Sequence, residues 1–402
     1  MSNPYLPPEL LDCIVDLLHD NQNALKQCCL VSKSWVPRTR EHLFTDVNLD
    51  AEEHLELWKT MFPDPSISPA QFAKSLHIGC PRAVTVEDAE PGGWLTGFVH
   101  IVHLGVETQE VYPVKSPVSL APFHRFSPII KSLLLKSAAL PPSWIFNFIL
   151  SSPLLEDLTV ASYGTLVDDG GGSDSPLAAI KPSDPPLLTG SLELPLEEAM
   201  GPIAGRLLSM SGGINFRKLT LNCCRGGDLS LAMALVGECS HTLESLDVTC
   251  NSCGTSIRYL RPLCGLTSIL ADWASISFDL SKATRLKDLT FRTNSWHTGW
   301  VTVALRTITP DHRGLRQISI SPVYFSAILM LGVDAGRYIG EQTLVQWSEL
   351  DRLLSQLRES HSIPPMILCD TLSLYEVTTR DVVGSLLPET TGGGTINLVD
   401  VP

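Results

Sequence analysis

The sequence predicts an α/β protein: a small all-α unit of three helices, followed by a solenoid of short parallel strands and helices. Three observations lead there. The chain opens on an amphipathic helical stretch, "LPPELLDCIVDLLHD". Beyond residue 70 a phrase x-L-x-L, or a close variant, returns ten times. Between the returns lie segments such as "PSWIFNFILSS" and "DLSLAMALVGECS", which suit helices running back to the next strand.

The first helix is well marked. Pro7 and Pro8 suit a first turn, where a missing N–H costs nothing and φ is preset. At 100° per residue, Leu10, Leu11, Ile14, Leu17 and Leu18 occupy about a third of the circumference. Glu9, Asp12, Asp16 and His19 take the other side, with Glu9 near the positive end of the helix dipole. The carboxylates interrupt the apolar run and no Lys or Arg precedes Lys26, so the stretch does not read as a secretory signal.

Two shorter helices follow. Asn23 is placed to cap one carrying Leu25, Cys28 and Cys29, and Ser32 to cap another carrying Trp35, Arg38 and Leu43. Three helices in so few residues hold little core by themselves. The apolar residues of the first helix exceed what its two neighbours can cover. Each Leu or Ile left in water forgoes about 1.5–3 kcal/mol, which predicts a docking partner.

The repeats return as Leu76/Ile78, Val102/Leu104, Leu133/Leu135, Leu158/Val160, Leu192/Leu194, Leu219/Leu221, Leu246/Val248, Ile269, Leu289/Phe291 and Ile318/Ile320. Successive spacings of 20 to 34 residues are those of a repeat array, in which each unit buries its apolar face on its neighbours. The pattern follows the leucine-rich consensus L-x-x-L-x-L-x-x-N/C, with Cys224, Asn251 and Asn294 at its last position. Boundaries follow: a three-helix domain over 1–48, a connecting helix and linker over 49–70, and a solenoid over 71–402. An acidic Gly/Pro-rich insertion at about 161–190 interrupts the solenoid. Near the end, "WSELDRLLSQLRESHSI" predicts a helix, "PPMILCD" a strand and "TINLVDV" a closing strand.

Composition narrows the function classes. The 402 residues are 44% hydrophobic and 18% charged, as in a folded globular protein, and carry a formal net charge of −14. That charge disfavours nucleic acid, which needs clustered Lys and Arg; it serves solubility or favours basic protein partners. No apolar run is long enough to span a membrane. Eleven cysteines, an odd number, point to a reducing compartment, cytoplasm or nucleus.

No catalytic constellation is visible. "CNSC" at 250–253 lacks the second pair a zinc site requires, and Asn251 there fits the repeat consensus. His100 and His103, at an odd separation on a strand, face opposite sides. "DDGGGSD" lacks the alternating oxygen ligands and closing Glu of a calcium loop. The G-x-S-x-G, Walker, H-E-x-x-H and G-x-G-x-x-G motifs are absent. Neither metal nor cofactor is expected, nor is enzymatic activity. No cluster of arginines on successive strands stands out as a binder of acidic or phosphorylated segments.

The residues at 6 to 44 resemble an F-box. Its pattern runs L-P-x-E, I-x-x-x-L, L/C-x-x-V-[SC]-[KR]-x-W and L-[WF]. Leu6, Pro7, Glu9, Ile14, Leu18, Leu25, Cys29, Val31, Ser32, Lys33, Trp35, Leu43 and Phe44 match it. "NQNAL" stands where an acidic Asp-Leu is usual. The combination is similar to the F-box proteins with degenerate leucine-rich repeats expanded in mushroom-forming fungi. The resemblance implies the substrate-receptor subunit of a cullin–RING ubiquitin ligase, with the three helices on a Skp-type adaptor and the repeats on a protein substrate. It further implies adaptor contact through Leu6, Pro7, Ile14, Leu17, Leu18, Leu25, Cys29, Val31 and Trp35. A leucine-rich-repeat scaffold with a divergent F-box, acting outside any ligase, is the alternative.

Overall fold

A computed structural model describes residues 7–107, 119–136, 140–161, 186–196, 201–210, 212–223, 226–250, 278–293, 298–322, 341–361, 365–370, 387–388 and 397–401. Leu6, Ile269, Cys224, Asn251, Asn294 and most of the acidic insertion lie outside them. The chain forms two compact units, Met1–Pro186 and Leu187–Pro402. The boundary falls inside the segment that interrupts the repeat rhythm.

The first unit opens with α1 (Pro8–Asp16), α2 (Gln22–Val31) and α3 (Val36–Leu43). Strands β1 (Asp46–Leu49), β2 (Ser75–Ile78), β3 (His103–Glu107), β4 (Ser132–Lys136) and β5 (Asp157–Ala161) follow, each parallel to the one before. Parallel neighbours need a crossover between them. Here α4 (Glu52–Met61), α5 (Pro142–Leu150) and short 3₁₀ turns such as Pro69–Phe72, Trp94–Gly97 and Ala121–Phe126 supply it.

The register explains the Leu pattern. Val47, Leu76, Leu104, Leu133 and Leu158 stand side by side across the five strands, as do Leu49, Ile78, Val106, Leu135 and Val160. All ten are buried, while the alternate residues of β4 and β5 keep contact with solvent. Two expectations are corrected. The buried pair of the second repeat is Leu104 and Val106 rather than Val102 and Leu104, because Ile101 takes the leading apolar position. The sheet also begins at Asp46, ahead of the expected start at 71, since Val47 and Leu49 supply one more alternating pair.

Gly79 marks the exit from β2. A Cβ there would lie 2.2 Å from the Asp50 carbonyl oxygen, so the two backbone segments approach this closely only at glycine.

The second unit repeats the scheme with β6 (Ser191–Leu196), β7 (Lys218–Cys223), β8 (Ser245–Cys250), β9 (Asp288–Thr293), β10 (Gln317–Pro322), β11 (Pro365–Asp370) and β12 (Asn397–Val401), again all parallel. Its described crossovers are full helices: α6 (Gly201–Leu208), α7 (Gly226–Cys239), α8 (Gly299–Arg306) and α9 (Glu341–His361). Leu192, Leu219, Leu246, Leu289 and Ile318 form one buried row, and Leu194, Leu221, Val248, Phe291 and Ile320 the next. The helices close over them with Ile203 and Leu207, Leu235 and Val236, Val301 and Leu305, and Trp347, Leu350 and Leu354.

Both segments expected as return helices, and the expected helix and two strands near the C-terminus, are present. The protein is therefore α/β, with parallel strands and return elements in a repetitive, solenoid-like succession.

Candidate docking surfaces

The three-helix start holds together through a small interior and one ion cluster. Val15, Leu25, Cys28 and Thr39 are buried. The Thr39 hydroxyl donates to the Trp35 carbonyl at 2.7 Å. Asp16, at the end of α1, accepts from Arg38 Nε at 2.6 Å and Nη2 at 2.9 Å, and its Oδ1 lies 2.7 Å from His42 Nε2. Arg38 also reaches Glu41 at 2.6 Å. The hydrogen bonds from Arg38 and then His42 hold the Asp16 carboxyl far below the usual carboxylate range. The bonds to Asp16 and Glu41 raise the Arg38 guanidinium in turn.

The helix ends differ from expectation in two places. Asn21, not Asn23, caps α2, its Oδ1 accepting from Ala24 N–H at 3.0 Å. Ser32 does not cap α3; its hydroxyl oxygen accepts from Ser34 N–H within the preceding turn. The helix starts later, at Val36, because Pro37 lacks the N–H that an interior helical residue donates and so stands in the first turn.

Beyond the bundle an aromatic series continues into the repeats of the same unit. The Phe44 ring centroid lies 6.1 Å from Trp58, Trp58 5.5 Å from Phe98, and Phe98 5.7 Å from Trp94. The helices are thus anchored on the first repeats through α4.

What this packing leaves outside is apolar. Along α1 and the turn that continues it, Leu11, Val15 and Leu18 turn inward to differing degrees. Leu10, Ile14 and Leu17 remain 50%, 38% and 83% exposed. Spaced by four and three residues, these three share one stripe of the helix. At the end of α2, Leu30 and Val31 are 80% and 67% exposed. Of the residues assigned to adaptor contact, Pro7, Ile14, Leu17 and Val31 are exposed, and Leu18, Cys29 and Trp35 are half-buried. Leu25 is fully enclosed by its own bundle, so it supports the surface from beneath. Leu10 and Leu30 were not among the assigned residues. The four-residue step from Leu10 to Ile14 signals the first, but nothing in the sequence distinguishes Leu30 from a core leucine.

The strand faces carry a second kind of surface. In the first unit the His77 ring lies over β3, with Nε2 3.6 Å from carboxylate oxygens of both Asp50 and Glu107. Gly105 makes room for it, since a Cβ there would come within 2.4 Å of His77 Nδ1. In the second unit Thr220, Asp247 and Thr290, all partly open to solvent, share one register row, and Arg292 bridges to Asp247 at 3.0 Å; Ser319, next in that row, is buried. These are side chains for polar contacts over an extended surface.

Among the described residues no group of three or more His, Cys, Asp or Glu could hold a metal ion, and no helix is long and apolar enough to cross a membrane. Cys13, Cys28, Cys29, Cys223 and Cys239 are free thiols. Cys239 is buried, which pushes its thiol up to about 12. No protein-family model matches the chain, and no curated protein does.

Proposed function

We propose that the chain is a substrate receptor of a cullin–RING ubiquitin ligase, its first three helices acting as an F-box and its degenerate leucine-rich repeats holding a protein substrate. In this reading the chain works in the cytoplasm or nucleus and has no active site of its own, because the ubiquitin-transfer chemistry belongs to other subunits. The observation that carries it is the unpartnered stripe of Leu10, Ile14 and Leu17 on a helix whose other apolar face is already packed.

An amphipathic helix with anchors at i, i+4 and i+7 suits a groove on another protein. Covering each large apolar side chain is worth about 1.5–3 kcal/mol. The Asp16–Arg38–His42 cluster, together with the aromatic series, holds that stripe in a fixed presentation. Preorganisation of this kind lowers the entropic cost of docking. The strand faces, with alternating positions open to solvent along successive strands, supply the extended surface a substrate requires.

The test is co-purification with a Skp-type adaptor, wild type beside Ile14→Asp/Leu17→Asp. Both positions are exposed, so the variant folds, whereas its carboxylates would have to be desolvated at the interface. Wild-type binding lost in the variant supports the receptor. Absence of wild-type binding removes it and leaves a repeat scaffold.

A further inference from the structure

The residues that enter the strands of the second unit form a charged rim. Each donates its backbone N–H to the rim residue before it: Arg217 to Gly190 at 2.8 Å, and Glu244 to Arg217, Lys287 to Glu244 and Arg316 to Lys287 at 2.7 Å. This ladder places Arg217, Glu244, Lys287 and Arg316 side by side at the entries to β7, β8, β9 and β10. Lys218 begins β7 itself, and Arg285 stands in the turn before β9.

The carboxylates at the strand entries, Glu244 and Asp288, are outnumbered and already engaged. Glu244 pairs with Lys287 at 2.5 Å and Asp288 with Arg316 at 3.7 Å. Asp279, in the turn before β9, accepts from Ser281 N–H. Arg217, Lys218 and Arg285 are exposed and form no ion pair within 4 Å with another described residue. The Glu244 carboxylate is held below its ordinary range first by its bond to Lys287 and then by the charges of Arg217 and Arg285. Three cations therefore converge on one carboxylate, and positive charge is left over.

We infer that this rim docks an acidic, Asp/Glu-rich segment of a protein partner in extended conformation. On the receptor reading, that segment belongs to the substrate. A chain of net charge −14 attracts basic partners at long range, so a positive rim on it favours local recognition of acid over general steering. With strands ~4.8 Å apart, β7 to β10 spans ~14 Å, the reach of four or five extended residues. The retained Glu244 and Asp288 interrupt the row of cations. That spacing fits a peptide with acids at intervals better than a continuous phosphate backbone, which would meet both carboxylates.

The experiment uses the full chain and a rhodamine-labelled twelve-residue peptide of alternating Glu and Gly, read by fluorescence anisotropy. Its Gln/Gly counterpart and a twelve-nucleotide single strand of DNA serve as comparisons. The Glu peptide is expected to bind at about 20 mM salt and to weaken about tenfold by 150 mM. Arg217→Glu/Arg285→Glu/Arg316→Glu is expected to weaken it at least about tenfold, each reversal removing an attraction and adding a repulsion. Arg217→Gln/Arg285→Gln/Arg316→Gln, for use if the reversal disturbs folding, should weaken it by about threefold or more.

Failure of the wild type to bind overturns the inference. So does equal binding by the folded charge variants, by the Gln/Gly peptide or by the DNA strand. The Ile14→Asp/Leu17→Asp variant should bind the Glu peptide unchanged. The rim and the adaptor surface can therefore fail independently.

Discussion

The three-helix start and the repeats spend similar side chains in opposite ways. In the repeats, leucines two residues apart on a strand stand in rows, and every member described has a neighbour on the strand before or after it. In the bundle, the apolar arc of α1 is divided. Val15 is enclosed while Leu10, Ile14 and Leu17, on the adjoining stripe, remain open. A strand has two faces, so alternation sends each residue clearly in or out. A helix presents a continuous circumference, and the number of neighbours decides how much of it is covered. Two short helices cover only part of that circumference, and the remainder stays open to solvent.

The largest effect that would break this contrast comes from paired truncations. Leu246→Ala, within the buried row of the second unit, should cost about 2–5 kcal/mol, because the flanking Leu219 and Leu289 cannot collapse into the space. Leu17→Ala, at an exposed leucine, should stay within about 0.5 kcal/mol. Urea denaturation followed by far-UV circular dichroism measures both. Similar costs would mean that α1 is covered after all.

Glycines sharpen the comparison at a smaller scale. Gly79→Ala should cost about 1–3 kcal/mol, since the new methyl meets backbone rather than a movable side chain. Gly205→Ala, in the interior of α6 with open space around it, should instead stabilise by up to about 1 kcal/mol. The same urea titrations give both signs.

The smallest effect concerns acid. Asp16 has its carboxyl depressed in the folded bundle, so its contribution is complete above the ordinary value of 3.8 and is lost as the pH falls below it. Asp16→Asn should be less stable than the wild type at neutral pH, and the difference should narrow below about pH 4. Thermal denaturation at stepped pH tests this; a gap independent of pH would show that Asp16 acts through packing.

Much of the fold was legible because the repeat writes its burial pattern directly into the chain. Leu133/Leu135, Leu158/Val160, Leu192/Leu194, Leu219/Leu221, Leu246/Val248, Leu289/Phe291 and Ile318/Ile320 all stand at the buried positions expected of them. The second repeat was misread by two residues because "VHIVHLGV" offers overlapping apolar alternations, and only pairing with Leu76 and Ile78 selects Leu104 and Val106. The first strand was missed because "DVNL" is short and only two residues separate it from the end of a helix. The uncovered apolar face of the first helix was legible as an excess of apolar residues, although its membership was not. Leu25 and Leu17 look equivalent in the chain, yet one is enclosed and the other open.

The sequence by itself determined the α/β class, the repeat period and the amphipathic start, because each depends on spacing between residues near one another in the chain. Tertiary structure decided which apolar residues of the helices stay exposed and which cations gather on a rim. Arg217, Arg285 and Arg316 belong to different repeats, separated by whole crossovers. Only the parallel register, stacking one strand entry beside the next, brings their charges within reach of a single ligand. Charge interactions follow distance in space, and a solenoid makes residues close in space that are far apart along the chain.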